Sequence, residues 1–146
     1  MAETAAAVLP DPKDLIPHRG RFLLVDALES VTEERAVATY TFQPEEVEGH
    51  FPGQPVVPGV LLVEGMAQTL ACLASLHEPE PDGTPFLTGV EKVRFRAPVL
   101  PPATVTYKVR VTERRLGLTF AIGEVYAGGK RVCSARLNGA VIPHQD

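Results

Sequence analysis

Residues 60–77, VLLVEGMAQTLACLASLH, constrain the fold more than any other segment. Wound as a helix, the run is apolar around nearly its whole circumference, so it belongs in a core and not on a half-wet surface. A lone helix of this kind cannot bury itself and needs a second layer that curves around it. The rest of the chain offers β-structure for that layer. Residues 105–111 alternate, with Val105, Tyr107, Val109 and Val111 on one face and Thr106, Lys108 and Arg110 on the other. Residues 119–126 and 131–141 flank Gly128-Gly129 and read as a hairpin. Residues 21–30 read as a mostly buried strand, paired across the polar turn 31–34 with residues 36–42. Residues 86–90 and 93–99 read as two short strands. The expected class is α+β: a curved antiparallel sheet wrapped around one long central helix. We expect a single domain over residues 1–146, with 1–12 a flexible tail and 78–83 a charged loop.

Bulk properties remove several function classes. A net charge of −4 gives no global case for nucleic acid, and aromatics at 6% with no Trp give no base-stacking platform. We expect no membrane span, since no apolar run reaches the roughly 18–20 residues that one needs. The N-terminus has an early acid and no basic region, unlike a secretory signal. Cys72 and Cys133 lie far apart in apolar segments, with no CxxC and no Cys/His ligand spacing. Two free thiols in a reducing cytoplasm, no metal and no cofactor are therefore the expectation.

Three features carry chemistry. Glu64 interrupts the apolar helix, with Leu61, Leu62, Val63, Met66 and Ala67 around it. A buried carboxylate is costly unless paired or protonated, and Gln68 is in hydrogen-bonding reach one turn later. Glu64 is thus either half of a structural Glu/Gln pair or a carboxyl poised as a general acid. His50 opens a loop in which three Pro and three Gly lie from Gly49 to Gly59, a rigid path that holds an imidazole near the helix start. Gly59, followed by Val60, stands where the first helical N–H groups have no intrahelical partner, a place that favours negative charge. A base, an acid and an anion site together suit β-elimination of water from a 3-hydroxyacyl thioester.

The segment from His50-Phe51-Pro52-Gly53 through Pro58-Gly59-Val60 to Glu64-Gly65-Met66-Ala67-Gln68 resembles the signature of the FabZ-type β-hydroxyacyl-ACP dehydratases, including the fourteen-residue step from His50 to Glu64. Leu15-Ile16-Pro17-His18-Arg19 and Phe22-Leu23-Leu24-Val25-Asp26 resemble the opening motif, and residues 89–99 resemble the segment after the helix. The likeness covers about residues 14–143. It implies a hot-dog fold and dehydration to a trans-2-enoyl thioester in fatty-acid synthesis or related polyketide or polyene synthesis. It implies His50 as base, Glu64 as acid, Gly59 as oxyanion donor, and Val60, Phe51 and Gln68 around the substrate. It also implies a homodimer in which His50 of one subunit faces Glu64 of the other, an acyl tunnel beside the helix, and acyl carrier protein as carrier. Many relatives assemble as trimers of dimers.

The chain departs from the family pattern at three places. Gly20-Arg21 replace an aromatic residue and Pro, which bears on tunnel gating and chain length. Pro101-Pro102-Ala103 replace a Pro-Gly-Asp turn. Gly65 replaces Ala and is expected to widen the pocket. An acidic carrier needs a basic face. Lys92, Arg94 and Arg96 alternate and are expected to share one, with Arg114 and Arg115 a second candidate. His18 reads as a structural loop residue. Two rival functions stay open: a hot-dog acyl thioesterase, and a non-catalytic acyl-thioester binding module.

Overall fold

The computed structural model describes residues 8–77 and 83–143. Part of the expected tail (1–7), most of the charged loop (78–82) and His144 lie outside the described residues. Six strands, β1 (Ala27–Val31), β2 (Arg35–Phe42), β3 (Gly83–Phe95), β4 (Ala103–Arg115), β5 (Leu118–Ala127) and β6 (Lys130–Pro143), form one antiparallel sheet in the order β1-β2-β4-β5-β6-β3. The helix α1 (Gly59–His77) connects β2, near one edge, to β3, at the opposite edge. The chain must therefore cross the sheet, and α1 does so packed against one face.

That face is written in the strand periodicity. Val105, Tyr107, Val109 and Val111 are all buried, as the alternation in β4 predicts, and Ala36, Ala38, Tyr40 and Phe42 do the same in β2. From the helix, Leu62, Met66, Leu70 and Leu73 face them. The helix comes close to the sheet over β5, where a Cβ on Gly123 would lie 2.7 Å from the Met66 sulfur. By length and a mean hydropathy of 1.5, α1 reaches what a membrane span needs, contrary to the expectation that no apolar run is long enough. Glu64 and Gln68 are too few to lower the average, and the run's buried Leu and Met side chains pack into the core.

Turns follow side-chain chemistry. Gly128 and Gly129 have φ values of 58° and 78° and close β5 onto β6, as a two-residue hairpin of this twist requires. The β4–β5 turn uses Leu116 (φ 53°) and Gly117 (φ 79°) in the same way.

Four local expectations are corrected. The segment read as a strand from residue 21 begins with a 3-10 turn, Gly20–Phe22, and β1 starts only at Ala27. Residues 86–90 and 93–99 do not form two strands. β3 is one long strand, broken in register between Leu87 and Gly89 and between Glu91 and Arg94. Lys92 sits in that second irregularity with φ 51°, so strict alternation fails and the two-residue step survives only between Arg94 and Arg96. Finally, Leu9 packs against the core and Pro12 is buried, so within residues 1–12 the chain already joins the body.

Candidate active site

The loop before α1 is held by its own backbone. The His50 N–H bonds Val47 O (2.8 Å), Val56 N–H returns to His50 O (2.6 Å), and Val57 N–H reaches Val99 O (2.9 Å) beyond β3. The imidazole Nδ1 of His50 lies 2.8 Å from Val56 O. A carbonyl oxygen only accepts, so Nδ1 carries the proton and Nε2 of the neutral ring is left with a free lone pair. The loop thus orients a base. The Phe51 ring stacks on the imidazole at 4.3 Å and is otherwise exposed.

At the helix start, Leu61 N–H bonds Pro58 O (2.9 Å). The N–H groups of Gly59 and Val60 make no hydrogen bond among the described residues, as the first turn of a helix requires. Val60 is 70% exposed. The open side of Gly59 is taken by this protein's own Phe95, whose ring atoms would lie 2.6–2.9 Å from an added Cβ. A side chain at 59 would thus meet the Phe95 ring, a contact that sequence reading did not contain.

Glu64 projects from the middle of α1 into a cavity of about 430 Å³ lined by Ala67, Ala71 and Ala74 of the helix, Phe86 of β3 and Ala140 of β6. Its side chain is 37% exposed, so the helix is not covered on every side. Gln68, 1% exposed, fixes it. The Gln68 Oε1 accepts from Leu24 N–H (2.8 Å), which settles the orientation of the amide. Its Nε2 then donates to Phe22 O (2.6 Å) and to Glu64 Oε2 (2.8 Å). All three bonds tie the carboxyl to the segment that precedes β1.

Sequence reading took His18 for a structural loop residue and did not place it beside Glu64. Its Nε2 is 3.7 Å from Glu64 Oε2, and it lines the same cavity. The pairing spans 46 positions of chain, and no local pattern announces it. Arg19 anchors the segment by donating to Ile16 O (2.9 Å), His18 O (2.7 Å) and Lys13 O (2.9 Å).

Gly65 does not widen the pocket as expected. The Tyr107 ring fills the space where its Cβ would stand. His50 and Glu64 are each well placed, yet no hydrogen bond or ion pair joins them within the chain, and His50 is absent from the cavity wall. Among the described residues no group of three or more His, Cys, Asp and Glu gathers as for a metal. Lys92, Arg94 and Arg96 are exposed, with Arg96 donating to Ser134 Oγ (2.8 Å). Arg114 donates to Glu33 O (3.1 Å) and Arg115 pairs with Glu113 (3.3 Å).

Residues 16–136 match the family model described as a FabA-like domain. The chain is 41% identical over 132 residues to the 3-hydroxyacyl-[acyl-carrier-protein] dehydratase FabZ of Clostridium perfringens, covering 88% of this chain and 94% of that protein. The FabZ of Desulfotalea psychrophila is 37% identical over 129 residues, covering 85% and 86%. In fold, the chain is similar to the dehydratase heterocomplex ApeI:P from Xenorhabdus doucetiae, at a TM-score of 0.82, 17% identity and 94% coverage of both chains.

Proposed function

The chain belongs to the FabA-like dehydratase family, and on that premise we propose that it is a hydro-lyase that dehydrates an acyl-carrier-bound 3-hydroxyacyl thioester to the trans-2-enoyl thioester in fatty-acid synthesis. The observation that carries this reading is the pair of oriented groups: an imidazole with Nε2 free and a carboxyl held over an apolar cavity. His50 Nε2 takes the proton from the carbon next to the thioester carbonyl. The carbonyl oxygen, gaining negative charge, lies against the free N–H groups of Gly59 and Val60. Glu64 gives its proton to the 3-hydroxyl, the C–O bond breaks, and water leaves. The imidazolium and carboxylate that remain return to their starting forms by proton exchange. The 3-hydroxyl proton stays with the water, and no redox change occurs. Ala67, Ala71 and Ala74 give the acyl chain a wall of small side chains along the helix.

The working unit is a homodimer in which His50 of one subunit meets Glu64 of the other. Two features support it. His50 makes no contact with Glu64 in its own chain. β3 is an edge strand, bonded only to β6, with Phe86, Leu87, Val90 and Phe95 exposed. Such an edge invites pairing with a second copy. Two free, buried thiols fit a cytoplasmic setting. Arg94 and Arg96 offer charge to an acidic carrier protein.

The test is turnover of a 3-hydroxyacyl thioester by the purified protein, read by enoyl absorbance. His50→Ala and Glu64→Gln should each remove most of it while the fold persists. Mixing the two dead variants discriminates further. Random subunit exchange gives hybrid dimers with one intact site, restoring about a quarter of wild-type activity if the site is shared. A site within one chain gives no recovery. Hydrolysis of acyl-CoA without elimination would instead indicate a thioesterase, and binding without turnover a non-catalytic module.

A further inference from the structure

We propose that His18 is a positioning residue for Glu64: its Nε2–H, with the Gln68 amide, claims Oε2 of the carboxyl, so that the proton Glu64 gives away resides on Oε1. This inference rests on the dehydratase reading above. Gln68 cannot be turned around, because Leu24 N–H demands its oxygen. An N–H therefore faces Oε2 from one side at 2.8 Å. From the other side stands His18 Nε2, at 3.7 Å.

The tautomer of His18 follows from its other nitrogen. Nδ1 is buried and has no hydrogen-bond partner. A proton there would leave a desolvated N–H unsatisfied, and orphaned buried N–H groups are rarer in proteins than under-satisfied acceptors. The proton of neutral His18 is thus on Nε2, facing Glu64. An oxygen that already accepts from Gln68 and faces a second N–H is an acceptor and does not carry a proton of its own. Oε1, for which no hydrogen bond or ion pair is formed among the described residues, is left to hold it.

The separation of 3.7 Å is longer than a hydrogen bond. It matters what happens as Glu64 gives up its proton. The carboxylate that forms attracts the Nε2–H more strongly than the neutral acid does, and a movement of under about 1 Å brings the pair into hydrogen-bond range. The interaction strengthens as charge develops, so it acts on kcat and leaves substrate binding alone. Arg19 holds the backbone of this segment through three carbonyls, which keeps the residue that carries the imidazole beside Glu64. His18 touches neither bond that breaks. Its effect passes through Glu64.

The experiment compares wild type with His18→Phe and His18→Gln on one 3-hydroxyacyl thioester. His18→Phe keeps a ring and loses the donor. A lost hydrogen bond to a charged group lowers kcat roughly ten- to a hundredfold, with KM within about twofold. His18→Gln, whose amide reaches the place of Nε2, recovers most of the loss. An unchanged kcat in His18→Phe overturns the proposal, as does a glutamine variant no better than the phenylalanine one. A readout independent of turnover comes from ¹⁵N NMR of the imidazoles in the folded wild type. His18 should be the Nε2–H tautomer and His50 the Nδ1–H tautomer, and an Nδ1–H His18 overturns the proposal even if His18→Phe does not fold. Absence of turnover in the wild type itself overturns the dehydratase reading instead, so the two failures are distinguishable.

Discussion

Replacing Gly65 by Ala tests how tightly helix and sheet are fitted beside the candidate acid. In an exposed helix the change is favourable, since Ala exceeds Gly in helix propensity by about 1 kcal/mol. Here the added methyl would lie within 3.0 Å of Cζ, Cε1 and Oη of Tyr107. Tyr107 is 0% exposed and sits at the centre of β4, so its ring cannot step aside as a flexible surface chain would. Overpacking of a filled core costs about 1–3 kcal/mol, and ring overlap puts this site at the upper end. Subtracting the propensity gain leaves a loss of about 1–2 kcal/mol. At this chain length that is a fall in Tm of about 2–8 °C. Thermal unfolding at one fixed protein concentration measures it, because association contributes to apparent stability. In a Tyr107→Leu background the overlap is gone and Gly65→Ala should become neutral or stabilising, giving a coupling energy of about 2 kcal/mol. A higher Tm for Gly65→Ala in the wild-type background would refute the reasoning.

Further predictions concern the turns, thiols and surface. Leu116 is 93% exposed and holds φ 53°, a conformation that costs an L-residue roughly 1–2 kcal/mol. Leu116→Asn should raise Tm by a few degrees, and a fall would show that the turn is not strained. Burial pushes the Cys72 thiol from 9.0 up to about 12, and that of Cys133 to about 11, where Arg96 partly opposes the rise. Both should be inert to a thiol reagent at pH 8 in the folded protein and reactive in denaturant. Because the folded values lie above the unfolded one, their contribution to stability is present below pH 9.0 and lost as pH climbs through about 11 to 12. Melting temperature should therefore drop on the alkaline side, less steeply when both are replaced by Ala. Charge reversal at Arg94 and Arg96 together should raise KM for a carrier-protein substrate at low salt and leave KM for a CoA substrate unchanged. Equal effects on both substrates would place the docking surface elsewhere.

The sequence carried the layer architecture because two periodicities were unambiguous: the all-round apolar run of α1 and the strict alternation of residues 105–111. It also carried Gly128-Gly129, because a two-residue hairpin turn needs positive φ at both positions and glycine adopts it without strain. It did not carry the irregularities of β3. A bulge leaves composition unchanged and shifts only parity, so Lys92 looked in step with Arg94 when it is not. The site was legible where a residue contradicts its surroundings, as Glu64 does within an apolar helix. It was illegible where the partner comes from far along the chain. His18 meeting Glu64, Phe95 covering Gly59 and Tyr107 covering Gly65 are all long-range contacts that the local sequence does not encode.

The position of β6 has a consequence for how the protein is made. It is the last strand in sequence among the described residues, yet it lies inside the sheet, between β5 and β3. During synthesis α1 and β3 leave the ribosome well before the strand to which β3 bonds exists. For that interval β3 has no neighbour, and a helix as apolar as a bilayer span has only part of its cover. Closure waits for residues near 130–143, so the nascent chain passes through a stage whose exposed segment resembles what membrane-targeting factors and chaperones bind. A premature stop before β6 would leave that stage permanent. The same inner strand that completes the sheet thus sets the moment at which the chain becomes safe from capture.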